Sequence, residues 1–363
     1  MEPITIFAMI LASFAGGILG AALGALPAFV FMGFVIVGGE ALRIAGMNIA
    51  GIELGGYTDN LAFGAFFGPH IAFAAGAAAT AYAAKKGYME PGFGGNWGPH
   101  KAKNILIAYA GRKLDVLLVG GVFGIIGWLV FYLSDLVGAP WDPIAFAVVV
   151  SALVHRLVLR YPVIGKVRGD NLFDLGPFKR GETHETDGQG GKPAERLNAE
   201  PWLPWFCEWQ NVGLIGLAFG ALGGLTFFYT GSMFLAFGFS AATLVFLNLS
   251  FTEDFKLPQV PVPATHHITL PAATAVAAYA GFEGMPEIAT VQAEIILLEA
   301  IGIGALFGLL GALLGEVAQR IFFMHGDTHW DPPATSIVVT TLLIAILHLA
   351  GVFPTAGFVP LPG

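Results

Sequence analysis

The chain has 363 residues, of which 56% are hydrophobic and only 12% charged, and its formal charge is −8. A soluble domain carries roughly a quarter charged residues, so this composition cannot cover a water-facing surface, and no basic stripe marks a nucleic-acid partner. The single cysteine, Cys207, excludes an internal disulfide and any cysteine-cluster metal site, whereas the 50 glycines suit membrane helices that approach closely.

The opening stretch, MEPITIFAMILASFAGG, has no basic leader and reads as a retained first span. The apolar run over 4–46 is too long for one crossing of a ~30 Å hydrocarbon core. Pro27 divides it into expected spans 5–25 and 27–46. A third span is expected at 67–84, ending at Lys85 and Lys86, and further spans at 108–133 and 143–160. These make a first membrane region, 1–160. Residues 161–211 turn polar, charged and Gly-rich, which reads as a partly disordered extramembrane linker. It closes on PWLPWFCEW, whose Trp202, Trp205 and Trp209 suit an interfacial aromatic anchor. The second membrane region, 212–363, holds expected spans at 213–229, 231–250, 266–281, 291–315 and 333–351.

The two regions repeat each other. Gly16, Gly20 and Gly24 are spaced like Gly216, Gly220 and Gly224, and YTDN at 57–60 resembles FTED at 251–254. Half of the 14 positions from His70 to Ala83 equal those from His267 to Ala280. DVLLVGGVFGIIG (115–127) lines up with EAIGIGALFGLLG (299–311), and WDPIAFAVVV (141–150) with WDPPATSIVV (330–339). Five spans per repeat would leave the second copy inverted, and the loop charges agree. Lys85, Lys86, Lys101, Lys103, Arg112 and Lys113 follow the third span of the first half, whereas its counterpart carries Glu283, Glu287 and Glu294 and no Lys or Arg. The next loop reverses this, with Asp135 in the first half and Arg320 in the second. By the positive-inside rule the linker is cytoplasmic. The expected fold is therefore all-α and polytopic, with about ten transmembrane helices in two inverted five-helix repeats. Re-entrant or broken segments are expected before the third helix of each.

Inverted repeats build many secondary transporters, with sites near the midplane. Glu299 and Asp115 hold the same repeat position and are the leading candidates for the pathway, because a carboxylate in hydrocarbon normally faces a water path. Asp115 also has Arg112 and Lys113 beside it, which suits a headgroup position equally. His70 and His267, with neighbouring His266, begin the third span of each half, either as midplane groups or as surface caps. Asp59 and Asp254 lie in acidic turns that suit a cation-attracting mouth or ordinary solvated loops. Trp141-Asp142-Pro143 and Trp330-Asp331-Pro332 read as structural helix starts, with Asp as cap and Pro in the first turn. HGDTHWD offers His325, Asp327 and His329 but no fourth ligand, so no metal or cofactor is expected. No Gly-rich phosphate loop, HExxH or Gly-x-Ser-x-Gly points to an enzyme.

The function expected is an integral transporter in a plasma or inner membrane, moving a small ion or polar solute by alternating access, with coupling to protons or a cation. A passive channel of the same architecture, or a non-transporting membrane subunit or scaffold, is the alternative. The expected partners are the lipid bilayer and the solute, with homo-oligomer formation open.

Overall fold

The computed structural model describes residues 2–46, 56–89, 101–106, 113–187, 193–250 and 261–362. The described chain is all-α apart from one hairpin. Its helices are α1 (Pro3–Leu23), α2 (Ala25–Ala45), α3 (Ala74–Lys85), α4 (Leu114–Leu136), α5 (Pro143–Val158), α6 (Gly176–Lys179), α7 (Trp209–Thr230), α8 (Leu235–Thr243), α9 (Val245–Ser250), α10 (His266–Tyr279), α11 (Ile288–Glu294), α12 (Leu297–Ala318) and α13 (Pro332–Leu349). Among the described residues six helices are long and apolar enough to cross a membrane: α1, α2, α4, α7, α12 with its continuation to Phe323, and α13. α5 and the α8–α9 pair are shorter apolar helices. Leu11, Leu118, Leu133, Leu214, Leu306 and Leu349 stay exposed on the outer faces of the long helices. Apolar surface of this kind is stable only against lipid or a partner.

Several boundaries differ from expectation. The first break falls at Gly24, not Pro27, because Gly24 takes φ +103°, which a side chain disfavours. Pro27 then lies in the first turn of α2, where a missing N–H leaves no hydrogen bond unmade. The fourth span starts at Leu114, not 108, and α12 starts at Leu297, not 291, after the separate short helix α11. The expected spans at 67–84 and 266–281 are α3, entered through a π-helical turn at Pro69–Phe73, and α10. Both are short and almost wholly buried. Their Ala and Gly side chains let other helices close around them on every side, so neither has a lipid-facing stripe. The approach to α3 is irregular, with a π-helical turn at Tyr57–Ala62 and local hydrogen bonds from Phe63 N to Thr58 O and from Gly68 N to Gly64 O. Most of the approach to α10, and Asp254, lie outside the described residues.

Small residues set the helix pairs. α1 meets α4 where Gly17 faces Gly120 and Gly124, and α7 meets α12 where Gly220 faces Gly304 and Gly308. Gly20 abuts Ala72, and Gly223 abuts Thr269. These contacts pair Gly17 with Gly220, about one helical turn away from the pairing read from glycine spacing. Gly127 packs on the His70 carbonyl and Gly311 on that of His267. A Gly220→Ala methyl would overlap the Gly304 carbonyl and Gly308 Cα. Overpacking of this kind costs about 1–3 kcal/mol, so Gly220→Ala should lower the melting temperature. Gly213→Ala should not, because its methyl meets only Leu309 Cδ1 at 3.7 Å.

Among the described residues, α2 with α8 and α5 with α13 make the main helix contacts between 1–160 and 212–363. α2 and α8 run antiparallel, with Gly33 against Ala241 and Gly238 against Ile36. α5 and α13 meet where the Asp142 N–H donates to Thr341 Oγ1 at 2.9 Å. The 161–211 linker, expected to be partly disordered, is ordered where described. Strands β1 (Thr183–Asp187) and β2 (Pro193–Leu197) pair antiparallel with Thr183 opposite Leu197. Charged contacts tie the linker to both halves on one face of the molecule, the linker face. Trp202 and Trp205 pack against the core, while Trp209 lies under the Arg320 guanidinium at 4.4 Å.

Candidate functional site: a cavity between the halves

The Asp-Pro starts of α5 and α13 behave locally as the sequence implies. Asp142 Oδ1 accepts from Ile144 N at 2.8 Å and Ala145 N at 3.0 Å, and Asp331 Oδ2 accepts from Ala334 N at 2.8 Å. Because α5 and α13 are antiparallel and overlap, both caps are buried inside the protein, with Asp142 beside the middle of α13 and Asp331 close to Ala152 of α5. Both line one cavity of about 250 Å³.

Corresponding positions of the two aligned segments supply much of its wall: Asp142 and Asp331, Ala145 and Ala334, Val148 and Ile337, Pro69 and His266, Phe73 and Leu270. Phe29 of α2 and Phe237 of α8 close it from the side. The exposed residues Asp59 and Asp135 mark its open end, away from the linker. Of the three histidines at these helix starts, His266 is the one in the wall. Its ring lies 4.7 Å from that of Phe29 and 5.7 Å from that of Phe237. His70 and His267, the pair found by alignment, are buried elsewhere. His70 packs on Phe131 at 4.8 Å, and His267 packs on Gly315 and Trp202.

The leading carboxylate candidates are not in the cavity. Glu299 is exposed in the first turn of α12, where its Oε2 accepts from Ile296 N at 3.1 Å. It caps a helix, because that helix begins later than the apolar run suggests. Asp115 lies in the first turn of α4 and accepts from the Tyr82 and Tyr88 hydroxyls, both at 3.0 Å. Asp59 is at the cavity rim, paired with Arg43 at 2.8 Å. Trp141 donates to Ser134 Oγ, and Trp330 donates to Thr335 Oγ1 and stacks on Phe322. Pro143 lies in the cavity wall; Pro332 begins α13.

Reading the sequence missed three buried charge clusters. Glu40 accepts from Thr58 Oγ1 at 2.8 Å and Ser232 Oγ at 2.6 Å, joining α2, the Tyr57–Ala62 turn and the approach to α8. Its signal was present: an acid in an apolar span, three residues before an arginine. Glu316 accepts from Gln319 at 3.0 Å and Arg320 at 2.6 Å on one helix. The third cluster closes the linker face. Lys103 Nζ meets Glu200 Oε2 at 2.7 Å, and Arg196 binds both Glu200 oxygens at 2.9 Å. Arg196 also meets Asp327 Oδ1 at 2.6 Å. Arg156 donates to Thr328 O and Oγ1 and to Val163 O. Burial pushes the Lys103 ammonium down to about 8, against the opposing pull of Glu200. Burial pushes the Glu200 carboxyl up, but Lys103 and Arg196 outweigh it and hold it below the usual carboxylate range.

Between this cluster and the cavity, His329 Nε2 lies 3.3 Å from Asp331 Oδ1, and His155 Nε2 lies 2.8 Å from Thr328 Oγ1. His325, Asp327 and His329 do not converge. His325 faces the Leu172 carbonyl, Asp327 faces Arg196 and His329 faces Asp331. Among the described residues no group of three potential ligands surrounds a metal-sized site.

Over residues 1–362 the chain matches a family of unknown function, DUF7973. No curated protein and no solved structure matches it.

Proposed function

The chain belongs to the family of unknown function DUF7973, and from its own residues we propose that it is an integral membrane transporter moving a small ion or polar solute by alternating access. In this reading the segments 1–160 and 212–363 are inverted five-helix repeats, and the linker lies on the cytoplasmic side. The observation that carries it is the cavity itself. Corresponding positions of both segments line it, it opens on one side, and buried ion pairs close it on the other.

The contacts support inversion as well. Lys103 after α3, the linker residues Arg196 and Glu200, and Asp327 after α12 meet on one face. Gly138 after α4 meets Leu361, and Gly231 after α7 meets Pro286, away from the linker. Two near-equivalent halves offer two states of similar energy, one open to each side. Opening toward the linker requires separating Lys103, Glu200, Arg196 and Asp327, which belong to three different parts of the chain. Asp331 and His329, at the deep end, are the pair best placed to exchange a proton when solute binds.

Reconstitution into liposomes tests the proposal. Uptake should saturate and should run uphill under an imposed proton or cation gradient. A cysteine placed at Ala145 should react with membrane-impermeant reagents from one side in the resting protein, and from the other side during turnover. Native Cys207 should stay silent, since it is buried and burial pushes its thiol up to about 11. Ohmic single-channel currents, or labelling from one side only under all conditions, would overturn the alternating-access reading.

A further inference from the structure

The cavity's chemistry narrows the solute. Its lining is dominated by phenyl rings, including Phe29, Phe63, Phe73, Phe131, Phe234 and Phe237. Among the described residues its lining has no Lys, Arg, Ser, Thr, Asn or Gln. An alkali or alkaline-earth ion stripped of water needs about six converging oxygen ligands, and among the described residues no three acidic or histidine side chains converge on a metal-sized site. An anion needs donors. The N-termini of α5 and α13 point here and would favour one, but the caps Asp142 and Asp331 already occupy Ile144 N, Ala145 N and Ala334 N. A sugar needs many paired donors and acceptors, and these are missing too.

What the walls do offer is suited to an organic cation. Among the described residues four carboxylates, Asp59 (paired with Arg43), Asp135, Asp142 and Asp331, face the space, and no Lys or Arg lines it. Asp142 is 6% exposed and uses Oδ1 for its cap, and no described residue donates to its Oδ2. His266 is 5% exposed, lines the cavity, and its Nδ1 has no partner. Phenyl faces attract a cation within about 6 Å of the ring centroid and solvate an apolar body at the same time. At about 30 Å³ per water the cavity takes on the order of eight waters, or a solute of similar bulk.

We infer that the cavity binds a protonated organic amine, its ammonium held by Asp142 and His266 and its apolar body among the phenyl rings. This names the substrate class of the transport site proposed above and rests on that reading for its role in uptake. Its binding chemistry is tested separately. Three probes of one shape decide it: 2-phenylethylamine, the neutral 2-phenylethanol and the anionic 3-phenylpropionate, titrated calorimetrically into the full-length protein in lipid nanodiscs. The amine should bind at least tenfold more tightly than either analogue. Asp142→Asn, which keeps a capping oxygen, should remove that preference while leaving 2-phenylethanol binding unchanged, and Phe237→Leu should weaken all three.

Equal binding of amine and alcohol would reveal only an apolar pocket for a lipid chain or similar group, and would overturn the inference. Tighter binding of the carboxylate would overturn it too. If Asp142→Asn does not fold, the wild-type probe series decides alone. Amine binding without uptake would leave this inference standing and remove the transporter. Uptake of another solute with no amine binding would do the reverse.

Discussion

Asp331→Asn is expected to fold and insert normally but to lose uptake by roughly tenfold to a hundredfold, whereas Glu299→Gln should stay within about twofold of the parent. Asparagine caps a helix as well as aspartate does, so the bond from Ala334 N survives and α13 keeps its start. What disappears is the negative charge 3.3 Å from His329 at the deep end of the cavity. A hydrogen bond to a charged group contributes about 1.5–3 kcal/mol, which sets the size of the loss. Glu299 is the internal control: it is an acid at a helix start of similar type, but exposed and outside the cavity. Initial uptake rates in liposomes at matched protein density provide the measurement. Equal losses from both variants would mean that acidity at helix starts, and not the cavity, governs transport.

Glu200→Gln is expected to destabilise the protein by about 3–5 kcal/mol, the usual result of breaking a buried ion pair from one side. Lys103→Met should cost much less. The asymmetry follows from counting charges. Lys103, Arg196 and Arg156 supply three cations near the carboxylates of Glu200 and Asp327. Removing Glu200 leaves Lys103 and Arg196 facing each other, whereas removing Lys103 still leaves Glu200 bidentate on Arg196. The pH dependence has a definite sign. Lys103 titrates at about 8 when folded, against 10.5 for the free side chain. Between those values the unfolded chain binds more protons through this side chain, so the contribution of Lys103 to stability is lowest below pH 8 and rises toward 10.5. Denaturation of wild type and Lys103→Met across that window checks it, since the difference in slope should come from this lysine alone. Losing the same stability in both single variants would refute the assignment.

Much of the local structure was legible because local chemistry decides it. Asp142-Pro143 and Asp331-Pro332 start helices in the structure as expected, since cap and ring act within one turn. The glycines of 115–127 and 299–311 predicted close helix contacts, because only small residues allow them. The candidate site was legible only in part. His266 was named beside His267, but one helical position turns a side chain by about 100°, so alignment of identities chose the histidine that faces away. Glu299 looked buried because the apolar run begins before it. In fact Ile295 is extended, with φ −141° and ψ 142°, and α12 starts only at Leu297.

By itself, then, the amino-acid sequence determined that the chain is helical and that it has too few polar groups for water. Composition, small-residue spacing and caps act over a few residues and can be read in order along the chain. Only the tertiary structure decided that the Asp caps of α5 and α13 share one cavity, and that Lys103, Glu200, Arg196 and Asp327 close one face. Contacts of this kind join distant parts of the chain; Asp142 N and Thr341 Oγ1, for one, meet across a separation of 199 residues. No local rule brings them together; the crossing of helices from both halves does.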